Sequence, residues 1–186
     1  MPLTIQIVPC NFVGDFKVGD NLVYNAGVLT DLAQNNEDGR FNKLISLQAG
    51  SILEASMAEI IFRAQNFNRE GVPNILEADR QEIAGKKIDK FNNTIDVFRK
   101  YSIIDGIGGG IYEDLHVIRK FRNKIHVQDD ISIAGVSRDE VIAFDNGRME
   151  WIANKSYETI FFLSQNYSRP RGIANFVGDL RLPRFD

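Results

Sequence analysis

FNKLISLQAGSILEASMAEIIF, residues 41–62, is the stretch whose reading decides the fold class. Phe41, Leu44, Ile45, Ile52, Ala55, Ala58 and Phe62 recur at helical spacing and keep one broad stripe apolar, until Gln65-Asn66-Phe67-Asn68 ends it. A stripe of that period must bury against neighbouring elements, so it predicts a long core helix in a helical body beginning near Gly39.

The segments that follow extend the same plan. After Pro73, Asn74 and Glu77 have the spacing of a capping box, and Ile88, Phe91, Ile95 and Phe98 continue at 3-4-3 spacing, with Gly85 a candidate break between two helices. Gly106-Ile107-Gly108-Gly109-Gly110 exposes backbone N–H groups before a helix, as a phosphate loop does, but lacks a Gly-Lys-Ser/Thr ending and a preceding buried strand. It reads as an interhelical turn. A helix over about residues 111–127 follows, then a loop with strand character over 129–136. Ser137 with Glu140 makes a capping box for a short helix through Phe144, and Asp145-Asn146-Gly147 reads as a turn. The final helix carries Met149, Ile152, Ser156, Ile160 and Leu163 on one side, widened by Trp151 and Phe162.

The ends look different. Residues 1–36 are rich in Asn, Gly and Val, and Leu3, Ile5 and Ile7 alternate with Thr4 and Gln6 as a short strand would, predicting an extended cover. Residues 168–186 read as an irregular, mildly basic tail containing Arg169, Arg171, Arg181 and Arg184. Asn-Phe-Val-Gly-Asp occurs at Asn11–Asp15 and again at Asn175–Asp179, which is too short for a structural repeat but compatible with two turns lying side by side. The expectation is an all-α, up-and-down bundle of four to five helices over 37–167, with an N-terminal extension over 1–36 and a tail over 168–186.

A chain of 186 residues with 44% hydrophobic content can bury one sizeable core. Cys10 is the single cysteine, which rules out an intrachain disulfide and a cysteine metal cluster and points to a reducing compartment, with the cytoplasm as the default. The opening residues lack a basic region followed by an apolar run, and no segment approaches 18 uninterrupted apolar residues, so neither secretion by that route nor membrane insertion is expected. A formal charge of −3 argues against a protein that coats nucleic acid indiscriminately.

Local charge is another matter. Ile118-Arg119-Lys120-Phe121-Arg122-Asn123-Lys124-Ile125-His126 gathers four cations, an amide and one of the two histidines, bracketed by Glu113, Asp114, Asp129 and Asp130. Arginine's fork of donors matches phosphate oxygens, and histidine changes charge near neutrality. At about 100° per residue, Arg122 projects within about 40° of His126 and Arg119 within about 20°. Ile111, Leu115, Ile118, Phe121 and Ile125 form the adjoining apolar sector, so these polar residues sit on its border.

Arg-Asn followed shortly by His, late in a helix of an all-helical domain, resembles the signature of the HEPN superfamily, many of whose members are ribonucleases. The family pattern is an Arg, four to six residues, then His, often with Asn directly after the Arg. Here three residues separate Arg122 from His126, and six separate Arg119 from it, which leaves Asn123 beside the other arginine. The resemblance implies a site of His126, Asn123 and either Arg119 or Arg122, with Lys120 and Lys124 as RNA contacts. It also implies an up-and-down HEPN-like bundle and a metal-independent, cofactor-free cleavage of RNA. Such an enzyme is usually a homodimer with the site between its domains and acts in toxin–antitoxin or phage-defence systems, with an antitoxin protein as a further partner.

The chemistry would run by attack of the ribose 2′-hydroxyl on the adjacent phosphate, with histidine taking the proton and arginine steadying the phosphorane-like transition state. His116 lies ten residues from His126, about 80° around the helix and about 15 Å along it, so it cannot share one phosphate with His126 within one chain and reads as structural or exposed. A two-fold dimer supplies a second His126 instead. No His-Glu-x-x-His, calcium-loop or serine-elbow pattern is present. Two other readings compete. In one, the domain is a catalytically silent HEPN-like nucleic-acid-binding or dimerisation module whose Arg122 and His126 only hold a partner or an internal carboxylate such as Glu54. In the other, His126 merely caps a core helix.

Overall fold

Twenty-five residues, Asn42–Asn66, form the central helix of the protein, α2, and the remaining elements are arranged around it. The computed structural model describes residues 2–67, 76–85, 88–125, 134–170 and 176–186. In chain order the described elements are β1 (Leu3–Val8), α1 (Phe16–Gln34), α2, α3 (Glu77–Ala84), α4 (Phe91–Lys100), α5 (Ile111–Asn123), α6 (Glu140–Ala143), α7 (Asn146–Asn166) and β2 (Leu180–Phe185). The fold is mainly helical, as the periodicities predict, with a strand at each end.

α2 packs against α1, α3, α4, α5 and α7. That enclosure accounts for its composition: its most apolar 18-residue window has a mean hydropathy of 1.3, long and apolar enough to cross a membrane, yet 61% of it is buried inside the protein. Ile45, Ile52, Leu53, Met57, Ile60 and Ile61 supply the middle of the core. The buried faces of α5 (Ile111, Leu115, Ile118, Phe121) and α7 (Met149, Ile152, Ile160, Leu163) close on it.

Buried polar residues tie the N-terminal segment to this core. Glu59 accepts N–H groups from Gly14 and Asp15, both at 2.8 Å. One turn on, the buried Arg63 donates to the carbonyls of Phe12 (3.0 Å) and Tyr167. Burial is the first cause raising the Glu59 carboxyl above its ordinary value, only partly offset by the two N–H donors.

Several local expectations are corrected. The predicted extended cover over 1–36 is extended only at β1; Phe16–Gln34 is a 19-residue helix, with the Asp15 side chain accepting N–H groups from Lys17 and Val18 at its start. Gly19, Asn21, Asn25 and Gly27 lower the local helix propensity, but Leu22, Ala26, Leu29 and Ala33 fall on one face and their burial overrides it. The irregular tail contains β2, which pairs antiparallel with β1 in the register Leu3↔Phe185 to Val8↔Leu180. A strand at one end found its partner at the other, a pairing no local pattern announces. Asp139, not Ser137, caps α6, and Asp145 caps α7, so the expected turn at 145–147 is instead a helix start.

Other expectations hold. Gly85 ends α3 and separates it from α4. The glycine run is an interhelical turn in which Gly108 and Gly110 take φ values of 119° and 85°, the left-handed region that glycine enters without strain. The Asn74 cap and the loop over 129–133 lie outside the described residues. The two ends do meet: the rings of Phe16 and Phe176 lie edge to face at 5.5 Å.

Candidate functional site

α5 carries most of the predicted site and is built to hold charge at both ends. Glu113 and Asp114 occupy its first turn, Lys120 and Arg122 its last, each sign matching the helix dipole. The apolar face fixes its rotation against α2. Gly50 makes the contact close: a Cβ added there would lie 3.0 Å from the Arg122 Cβ and 3.4 Å from the Ile118 Cγ2. Arg122 passes close to Gly50 and forms an ion pair with Glu54, four residues on from it. Its other terminal nitrogen donates to the Asn123 side-chain oxygen at 3.1 Å.

Beside this pair, a cavity of about 240 Å³ opens between α2, the start of α4 and the last turn of α5. Glu54, Lys90, Asn92, Arg119, Arg122 and Asn123 line it. Thus three of the predicted residues, Arg119, Arg122 and Asn123, converge on one concavity. The Glu54 carboxyl is pushed up by desolvation and pulled down by Arg122 and by the Phe91 N–H.

The two arginines differ in how they are held. Arg122 is neutralised by Glu54, whereas the Nε of Arg119 is buried with no hydrogen-bond partner among the described residues. A buried, unsatisfied guanidinium N–H costs about 1–3 kcal/mol.

His116 precedes Arg119 by one turn. Its Nε2 lies 3.9 Å from Asp96 on α4, and its Nδ1 is buried without a hydrogen-bond partner among the described residues. Desolvation first, then the Arg119 charge, lower its pKa, and Asp96 only partly opposes them, so the neutral imidazole prevails at pH 7.

The two lysines are engaged within the chain. Lys124 is buried and donates to the Ser137 carbonyl; Lys120 reaches the Ala134 carbonyl at 3.4 Å. Both pin the segment after the motif back onto α5. His126 lies outside the described residues. Asp89, Lys90 and Asn92 join the cavity from the start of α4, a contribution the sequence reading missed, and Asp96 further along the same helix faces His116. Their signal was present: Phe91, Ile95 and Phe98 define the buried face of α4, which leaves Asn92 and Asp96 on its flank.

Among the described residues no group of three or more His, Cys, Asp or Glu side chains is placed to hold a metal ion. The chain matches no family model, no curated protein and no solved structure.

Proposed function

We propose that the chain is a metal-independent RNA endonuclease of the HEPN type, a toxin or phage-defence effector that cuts by attack of the ribose 2′-hydroxyl on the adjacent phosphate. The observation that carries this reading is Arg119, which lines a polar cavity together with Arg122 and Asn123 and whose Nε is buried without a hydrogen-bond partner among the described residues. A phosphate oxygen is the acceptor such a donor suits.

In this account Arg119 is the arginine that meets the scissile phosphate, and Arg122, already paired with Glu54, is a positioning residue that fixes the last turn of α5. His126 takes the 2′-hydroxyl proton. The oxygen attacks phosphorus, the 5′-oxygen leaves, and the products are a 2′,3′-cyclic phosphate and a 5′-hydroxyl. The leaving oxygen needs a proton, and His126 of a second copy supplies it across a two-fold interface. The purified protein is expected to cut single-stranded RNA in EDTA, and His126→Ala to abolish cutting with an unchanged melting curve. Undiminished cutting by that variant would refute the assignment.

A second reading is favoured by the Arg122–Glu54 ion pair: a catalytically silent HEPN-like nucleic-acid-binding or dimerisation module, in which the motif arginine serves packing. It predicts RNA binding without product.

A further inference from the structure

We propose that the free edge of β1 pairs antiparallel with β1 of a second copy of this chain, about a two-fold axis at Ile5, joining two two-stranded sheets into one of four strands. The inference rests on where the backbone hydrogen bonds of the two strands go, and it is independent of the reaction proposed above.

The Asp186 N–H donates to the Pro2 carbonyl at 3.1 Å, which sets the parity of the ladder. With Leu3 opposite Phe185, the residues of β1 that bond to β2 are Thr4, Gln6 and Val8. Leu3, Ile5 and Ile7 therefore point their N–H and C=O groups away from β2. On β2 the outward residues are Arg181, Pro183 and Phe185, and that edge is closed by the fold itself. Thr30 donates to the Arg181 carbonyl at 2.8 Å, Asn154 bonds both the N–H (2.9 Å) and the carbonyl (2.7 Å) of Phe185, and Pro183 has no N–H.

The outer edge of β1 has no such closure among the described residues, and the sheet has two strands. Nor does it carry the usual protection. LTIQIV contains no charge, no proline and no glycine, whereas β2 has Arg181, Pro183 and Arg184. Exposed sheet edges ordinarily carry lysine, proline or a bulge that prevents pairing. An uncharged, β-branched edge of six residues with Ile7 57% exposed is instead fit to take a strand.

The occupant is identified by self-complementarity. Antiparallel pairing about Ile5 sets Ile5 against Ile5, Leu3 against Ile7, and Thr4 against Gln6, with every outward donor meeting an acceptor. Apolar residues oppose apolar ones, polar oppose polar, and no like charges meet. A parallel partner or a one-residue slip breaks that match.

Cross-linking reads the register directly. Thr4 of one copy and Gln6 of the other fall at a site without hydrogen bonds, where Cα atoms approach to about 4.5 Å, within disulfide range. An equimolar mixture of full-length Thr4→Cys and Gln6→Cys chains is expected to give a disulfide-linked species of twice the 21.0 kDa chain mass on mild oxidation, and each variant alone is not. Adding Ile5→Lys to both chains sets two ammonium groups opposite each other and is expected to reduce the linked fraction by about tenfold or more, with the far-UV circular dichroism spectrum of each chain unchanged. No linked species from the mixture, equal linking by each variant alone, or linking indifferent to Ile5→Lys would each overturn the proposal, whether the edge is then left to water or taken by a different protein.

Discussion

Gly50 and Gly27 make a matched pair, because both lie inside helices that pack on each other and they differ in what a methyl group would meet. At Gly27 in α1 an added Cβ finds nothing within 4 Å. At Gly50 in α2 it comes 3.0 Å from the Arg122 Cβ and 3.3 Å from its Cγ, and the Cβ cannot move without moving α5. Gly27→Ala therefore gains the full helix preference of alanine, about 1 kcal/mol. Gly50→Ala gains the same amount but is charged an overpacking cost of about 1–3 kcal/mol, leaving a net loss near 1 kcal/mol. The two variants should differ by about 2 kcal/mol, which for a domain of this size separates their melting temperatures by roughly 4–8 °C. Differential scanning calorimetry of both variants against the parent measures it. Because the displaced atoms belong to Arg122, Gly50→Ala should also slow RNA cutting while Gly27→Ala should not. Equal stabilisation by the two substitutions would refute the claim that close approach of α2 and α5 positions the site.

The remaining predictions concern the buried polar groups. Arg63→Met strands the carbonyls of Phe12 and Tyr167 and should cost about 3 kcal/mol in urea unfolding; a loss below 0.5 kcal/mol, a threshold taken from the low end of ordinary hydrogen-bond contributions, would show that the staple is dispensable. Glu59 has a raised carboxyl pKa, so between the ordinary value of 4.5 and its folded value the folded state holds more protons than the unfolded one. Its contribution to stability consequently falls as pH rises through that window, and Glu59→Gln, which keeps an acceptor for Gly14 and Asp15, should flatten the slope measured by melts across it. The Cys10 thiol is buried and its pKa is pushed up to about 12, so a disulfide-exchange reagent at pH 8 should react only at the rate of unfolding; prompt reaction in the folded state would contradict that burial.

The helical plan was legible because it rests on period: the stripes through Ile45, Ile52 and Phe62, through Ile95 and Phe98, and through Ile152 and Ile160 each repeat every three or four residues. What was not legible rests on partners distant in sequence. α1 looks weak by propensity, and only the burial of Leu22, Ala26 and Leu29 makes it a helix. β2 is defined by β1, some 175 residues away, and Pro183 is admitted because its missing N–H falls on the edge that does not face β1. At the site, helical geometry was enough to set Arg119, Arg122 and Asn123 near one another. It could not show that Arg122 pairs with Glu54, because that partner lies on another helix. Nor does the sequence show that Lys120 and Lys124 donate to the carbonyls of Ala134 and Ser137.

The ends of the cut RNA test the central claim most directly. A defined single-stranded oligonucleotide incubated with the protein in EDTA, and analysed by mass spectrometry, should yield fragments ending in a 2′,3′-cyclic phosphate and beginning with a 5′-hydroxyl, with no product from an all-2′-deoxy substrate. Fragments with a 5′-phosphate, cutting of the deoxy substrate, or intact RNA bound to the protein would contradict it.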